Sequence, residues 1–175
     1  IMGFSKGGTS ALMASHDQPV LAAGGTPGGP RSVLHVPFYP SCYSHYYQPR
    51  TTGAPIYQLL GGADTYVGAE PCVTYGEALR AAGATIQTKV FPGAMHGFDY
   101  GPAYSIPNGE NYSKCVNQQQ PDRSWIMRDS GIVTFGPDGK PIPGASAKAV
   151  AACKTFGVKG GVDDAAAKQS MEDLK

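Results

Sequence analysis

Ile1-Met2-Gly3-Phe4-Ser5-Lys6-Gly7-Gly8 opens the chain, and its reading decides the fold. An apolar stub runs into a serine with glycine two residues away on each side, the pattern G-x-S-x-G. Thr9 to Ser15 then reads as a helix that stops ahead of Pro19. A serine on a tight strand-to-helix turn is held at strained backbone angles with its hydroxyl pointing into a cleft. Side chains at the flanking positions collide in such a turn, so glycine suits both. The following helix turns its positive end to the site, where the Lys6 N–H can donate to an oxyanion. The competing reading is a glycine-rich turn with a structural serine.

Further along, the short apolar run Val20 to Ala23 leads into a loop from Gly24 to Pro30. Ser32 to Tyr39 reads as a strand whose end Pro37 marks. An aromatic loop with Tyr43, His45, Tyr46 and Tyr47 follows, closed by Pro49. Pro55 to Leu60 is a buried strand stopped by Gly61-Gly62. Pro71 to Ala82 is a helix, with proline in its first turn and Gly83 just past its end. Thr85 to Phe91 alternates and reads as a strand. Strand, helix and strand recur, which predicts an α/β fold with a mostly parallel sheet flanked by helices. The segment from Gly101 to about Gly144 is polar and rich in Pro, Asn and Gln. Within it Trp125 to Met127 and Gly131 to Phe135 read as a hairpin, and Gly136 to Gly139 as a turn. Ser146 to Phe156 and Asp163 to Lys175 are helix candidates, the second capped by Asp163 or Asp164.

At 175 residues with 41% apolar content the chain is long enough for one domain with a core. Its 24 glycines and 15 prolines imply many turns. Fourteen basic against thirteen acidic residues leave +1, too little for a basic face that tracks phosphates, so no nucleic-acid partner is expected. No apolar run approaches the ~18 residues of a membrane helix, and no membrane partner is expected. Cys42, Cys72, Cys115 and Cys153 show no C-x-x-C and no Cys/His cluster at zinc spacing, so neither metal nor cofactor is expected. They read either as four unrelated buried thiols or as two disulfides of an exported protein. The even count weighs slightly towards a periplasmic or secreted location.

A serine nucleophile needs a base and an orienting acid. Among four histidines, His35 lies within an apolar strand and reads as a core or edge residue. His16 ends the first helix, where it suits capping, and His45 in the aromatic loop is placed to touch substrate. His96 directly follows a strand in Pro92-Gly93-Ala94-Met95-His96-Gly97-Phe98, a loop whose glycines suit presentation of an imidazole at the sheet's edge. The acid falls between serine and histidine in this class of fold. Asp64 ends Leu59-Leu60-Gly61-Gly62-Ala63-Asp64 just past a buried strand, at the carboxyl edge where ligand sites form. Asp17 is too near the serine and Asp99 lies beyond the histidine. A turn-forming aspartate and a solvated loop histidine are the structural alternatives.

Together Gly3 to Gly8, Phe38-Tyr39-Pro40-Ser41-Cys42, Leu59 to Cys72 and Phe91 to Asp99 resemble the catalytic half of the dienelactone hydrolase family, within the α/β-hydrolase superfamily. The resemblance runs from residue 1 to about 100 and takes in the final helix. It implies Ser5 as nucleophile, Asp64 as acid and His96 as base, with small carboxylic esters or lactones hydrolysed through an acyl-enzyme. Two departures stand out. The best-known members use cysteine where Ser5 stands, which moves the expectation towards general esterase chemistry. The insertion from Gly101 to Gly144 is also longer than the compact family pattern needs.

With that strand order, Cys42 follows one sheet strand and Cys72 starts the helix after its neighbour. This favours Cys42–Cys72, which would brace the Asp64 loop, and Cys115–Cys153, which would tie the insertion to the next helix. Each would be worth roughly 3–4 kcal/mol in the chain-entropy model. Cys72 lacks flanking glycines and follows the candidate acid, which argues against it as the nucleophile. Tyr39, Tyr43, Tyr46 and Tyr47 read equally as an acyl or aryl pocket and as half-buried rim residues. The rival readings are a serine peptidase of the prolyl oligopeptidase type, with the same residue order, and a non-catalytic α/β-hydrolase-like binding module.

An α/β hydrolase places its nucleophile after about five strands, whereas four residues precede Ser5. The expectation is a partial α/β-hydrolase domain whose N-terminal strands, and second oxyanion donor, come from a complementary segment or chain. Losing one such donor costs on the order of 10²–10³ in turnover. The 175-residue piece expressed alone is therefore expected to be poorly stable and nearly inactive. A cooperative, monomeric melt of that piece would contradict the expectation.

Overall fold

Apolar segments punctuated by glycine and proline give this chain short strands and helices. The computed structural model describes residues 1–26 and 28–175. Pro27, inside the loop expected over 24–30, lies outside the described residues. The first half runs β1 (Met2–Phe4), α1 (Lys6–Met13), α2 (Asp17–Ala22), β2 (Val36–Phe38), β3 (Ser44–His45), β4 (Ile56–Gly61), α3 (Glu70–Ala81) and β5 (Ile86–Phe91). The second runs β6 (Tyr104–Asn111), β7 (Asn117–Gln119), β8 (Trp125–Met127), β9 (Val133–Phe135), α4 (Ala145–Cys153), β10 (Thr155–Gly160) and α5 (Asp164–Glu172).

Four strands pair in the order β1-β2-β4-β5, all parallel. Alternation along β4 decides which layer each residue serves. Ile56 and Leu60 pack with Leu12 of α1 and Tyr75 and Leu79 of α3. Leu59 joins Phe38, Phe91, Phe98 and Ala166 of α5 in a separate cluster. Gln58 is buried too, and its amide is satisfied by donating to the Cys72 carbonyl at 2.9 Å and Thr88 Oγ1 at 2.7 Å. Asp163 caps α5 by accepting the Ala166 N–H at 3.0 Å, as its position before the helix led one to expect.

Two smaller sheets lie outside this parallel one. A small sheet runs β3-β7-β8-β9, with β8 and β9 antiparallel as the hairpin pattern predicts, and β6 pairs antiparallel with β10. Disulfides join Cys42 to Cys72 and Cys115 to Cys153. Cys115 and Cys153 pack with Met127 and Ala149 in a third cluster. Two disulfides are compatible with an oxidising compartment. Among the described residues no helix is long and apolar enough to cross a membrane.

Several expectations need correction. The first helix begins at Lys6 rather than Thr9, because the glycines at its start hide it. The first helix does stop ahead of Pro19, at Met13, but Pro19 itself sits in the first turn of an unexpected second helix, α2, where its missing N–H has no intrahelical partner to lose. Pro37 lies in the middle of β2, and β2 registers with β4 only through Phe38 and Leu59. The insertion does not close at Gly144. The helix expected to reach Phe156 stops at Cys153, and β10 carries the excursion on to Gly160. Strands β6 and β10 escape sequence reading because backbone pairing holds them: between them only Asn111, Val158 and Gly160 are buried.

The turn at Ser5 is tight on one side only. A Cβ at Gly3 would overlap the Gly7 carbonyl, and one at Gly8 the Phe38 carbonyl, whereas one at Gly7 meets no described atom within 4 Å. The first glycine of G-x-S-x-G is thus sterically required and the second is not, while Gly8 is. In the complete protein Gly3→Ala and Gly8→Ala should each cost about 1–3 kcal/mol in equilibrium urea unfolding. Gly7→Ala should be neutral or gain up to about 1 kcal/mol, since glycine is the poorer helix former.

Candidate active site

Ser5 ends the turn after β1 with φ 51° and ψ −115°, a left-handed conformation that a residue bearing a Cβ adopts only under constraint. Its N–H donates to the Phe38 carbonyl at 3.0 Å, fixing the turn to the neighbouring strand. The hydroxyl then lies at the head of α1. Lys6 is the first residue of that helix, so its N–H belongs to the helix's open end.

Asp64 and His96 leave the ends of β4 and β5. The two loops touch backbone to backbone: Gly62 donates to the Phe91 carbonyl at 2.8 Å and Ala63 to that of Ala94 at 2.9 Å. A Cβ at Gly61 would come within 2.6 Å of the Ala94 oxygen, so glycine is what permits the approach. Asp64 Oδ2 lies 2.8 Å from His96 Nδ1, and its Oδ1 accepts the N–H groups of Tyr66 at 2.7 Å and Val67 at 3.0 Å. His96 Nε2 lies 2.9 Å from Ser5 Oγ. One proton arrangement satisfies all three groups: Nδ1–H donates to Asp64, and Nε2 accepts from the Ser5 hydroxyl. Asp64 and His96 are both buried, and the rings of Tyr39 and Tyr66 stand edge-on to the imidazole at 4.8 and 5.0 Å.

Two recesses meet at Ser5. One, of about 580 Å³, is walled by Phe4, Tyr39, His96, Asp99 and Tyr104. The other, of about 260 Å³, is walled by Lys6, Tyr43, Tyr66, Val67 and Tyr112. A larger polar recess of about 940 Å³, with Tyr47 on its wall, contains none of Ser5, Asp64 or His96. Tyr39 and Tyr43 therefore adjoin the serine and Tyr46 does not. Its ring packs against His16 and Trp125 instead. Sequence reading missed Tyr66, whose N–H donates to Asp64 and whose ring flanks His96, and Tyr104, which arrives from a strand without a burial pattern. Asp99, set aside as an acid, accepts the Tyr39 hydroxyl at 2.5 Å. Among the described residues no cluster of His, Cys, Asp and Glu is grouped to hold a metal.

A family model described as the dienelactone hydrolase family matches residues 1–114. The chain belongs to the dienelactone hydrolase family. With its parallel sheet flanked by helices, the fold is of the α/β-hydrolase class. The family match runs past the limit near residue 100 that the motifs suggested. A Yersinia pestis protein named as a carboxymethylenebutenolidase is 35% identical over 116 residues, which is 63% of this chain and 42% of that one. An Escherichia coli K12 protein of the same name is 42% identical over 60 residues, 33% of this chain and 22% of that one. Among solved structures, a Klebsiella pneumoniae protein named as a dienelactone hydrolase aligns with TM-score 0.40 and 26% identity over 57% of this chain and 40% of its own. An α/β hydrolase from a deep-sea metagenome aligns with TM-score 0.42 and 21% identity, over 55% and 39%. The chain thus spans less than half the length of these relatives.

The other three histidines serve the interior. His16 Nδ1 donates to the Leu12 carbonyl near the end of α1 at 2.9 Å, and its Nε2 accepts the Tyr75 hydroxyl at 2.7 Å. His35 Nδ1 donates to the Ala11 carbonyl at 3.0 Å. His45 stacks on Tyr75 at 4.6 Å and lines neither recess beside Ser5. Burial, the largest cause in each, holds all three below the ordinary histidine value of 6.5. Above that value both folded and unfolded chains keep them neutral, and they add no pH dependence. Below it the unfolded chain takes up protons that the folded one refuses, so stability falls. Urea midpoints of the complete protein should accordingly drop between pH 7.5 and pH 5.5, and replacing His45 with glutamine should flatten that drop.

Proposed function

We propose that the chain carries the reacting groups of a serine hydrolase acting on small carboxylic esters or lactones through an acyl-enzyme intermediate. The reading rests on one observation above all: Ser5 Oγ, His96 and Asp64 form a continuous hydrogen-bonded relay with links of 2.9 and 2.8 Å. Family membership and the names of the relatives support the hydrolase part of the reading.

In the proposed reaction the Ser5 oxygen attacks the ester carbonyl carbon while Nε2 of His96 takes the hydroxyl proton. Asp64 keeps the imidazolium in place, its own charge stabilised by the Tyr66 and Val67 N–H groups. The carbonyl oxygen becomes an oxyanion, towards which the Lys6 N–H at the helix end is assigned as one donor. Collapse breaks the bond to the alkoxide, which leaves with the proton from His96 and yields the Ser5 acyl ester. Water then repeats the sequence: His96 removes its proton, the acyl–oxygen bond to Ser5 breaks, and the serine recovers its hydrogen. A lactone follows the same path with the alcohol still tethered to the acid.

The complete protein treated with a fluorophosphonate should gain one adduct, on Ser5, and should hydrolyse p-nitrophenyl acetate but not peptides. Ser5→Ala should lower kcat by about 10⁴-fold or more with little change in melting temperature. Activity retained in Ser5→Ala would show that the nucleophile is wrongly assigned, and peptide turnover would favour the peptidase reading.

A further inference from the structure

Resting on that ester-hydrolase reading of Ser5, we propose that the excursion from Gly101 to Gly160 is a substrate-selecting strap. Its Tyr104 completes a recess for an uncharged aromatic ring, so the preferred substrates are neutral esters bearing an aryl group on one side of the scissile bond.

The 580 Å³ recess next to Ser5 is aromatic on several sides, with Phe4 from β1, Tyr39 just past the end of β2 and Tyr104 from the first residue of β6. Rings in such a wall receive another ring edge-on or offset at 4.5–7 Å, a directional contact that an alkyl chain does not make. Tyr39 already holds the imidazole of His96 in that way. The charge of the recess selects further. Its carboxylate is Asp99, engaged through Oδ1 by the Tyr39 hydroxyl, and among the described residues no lysine or arginine lines it. An anionic group on the ring would face that carboxylate with no cation to answer it. Lys6, the residue after the serine, lines the other recess.

Tyr104 is placed by the same loops that place the acid and base. In the β6–β10 pair, Tyr104 registers with Gly160. A Cβ at Gly160 would overlap both the Tyr104 ring and the His96 carbonyl, so ring, strand and histidine loop meet at one point. Next to it the Gly161 N–H donates to the His96 carbonyl at 2.9 Å. The Lys159 N–H donates to Thr65 Oγ1 at 3.1 Å, one residue after the acid. The return strand therefore crosses both catalytic loops and fixes the tyrosine against them.

The test uses the complete protein and compares methyl benzoate with methyl butyrate, and benzyl acetate with butyl acetate, so that the aryl group is offered on either side of the ester. Monomethyl terephthalate serves as the anionic counterpart of methyl benzoate. In one of the two pairs kcat/KM should favour the aryl ester by about 10-fold or more, and where that is the benzoate pair terephthalate should fall about 10-fold below benzoate. Tyr104→Ala should erase most of the aryl preference, chiefly through KM, while Tyr104→Phe retains it. Should the alanine variant fail to fold, Tyr104→Leu, which fills the space without a π face, carries the same comparison. Esters cleaved without aryl preference, or a preference unchanged in a folded Tyr104→Ala or Tyr104→Leu, would overturn the strap's role and leave the Ser5 reading standing. Absence of turnover on every ester together with no fluorophosphonate adduct would overturn the Ser5 reading itself, and the proposal with it.

Discussion

The backbone seam between the acid loop and the histidine loop is the constraint on which the site depends. Parallel strands β4 and β5 keep their register up to Gly61 and Phe91, so the two loops leave the sheet at the same level. The hydrogen bonds from Gly62 to Phe91 and from Ala63 to Ala94 then continue the pairing beyond the sheet. A carboxylate and an imidazole on flexible loops would meet only part of the time, and each would lose side-chain freedom on meeting. Here the main chain makes the approach, and the side chains have only short distances left to close.

The serine reaches the same place by a different route. Its φ of 51° is a strain of order 1–3 kcal/mol, held by surrounding structure. The close approach of Gly3 to Gly7 and the bond from the Ser5 N–H to Phe38 supply that hold. The imidazole is restrained on its edges by Tyr39 and Tyr66, and Asp64 is fixed by two N–H groups of its own loop. Each group is thus positioned by its own surroundings before it touches the next, which in the proposed reaction would keep reorganisation small as charge develops.

Much of this was legible because the residues concerned break local rules in recognisable ways. Glycines around Ser5, the Gly61-Gly62 pair after a buried strand and the glycine-flanked His96 are all turn signals next to apolar runs, and the family motifs fall on the same stretches. Strand β4 was readable from its apolar run stopped by Gly61-Gly62, and β5 from its alternation after Gly83 at the end of α3. What stayed hidden was whatever burial does not write into sequence. Strand β6, with Pro107, Asn108 and Gly109 in its middle, follows no alternation, and its edges are held by main-chain bonds to β10. Pro37 misled for a related reason: it reads as a strand end, yet it stands inside β2 where the ladder to β4 thins, and α2 stayed hidden although α1 does stop ahead of Pro19. His45 and Tyr46 look like rim residues in a polar loop, and only tertiary packing around Tyr75 and Trp125 turns them inward.

The Cys115–Cys153 bond closes a small cluster that shares no residue with the two clusters flanking the parallel sheet. Its interior can therefore be remodelled without repacking the layers beneath the serine turn. Tyr112 packs against that cluster and also lines the smaller recess beside Ser5, so a change inside the sealed cluster reaches the rim of that recess and leaves the bed beneath it alone.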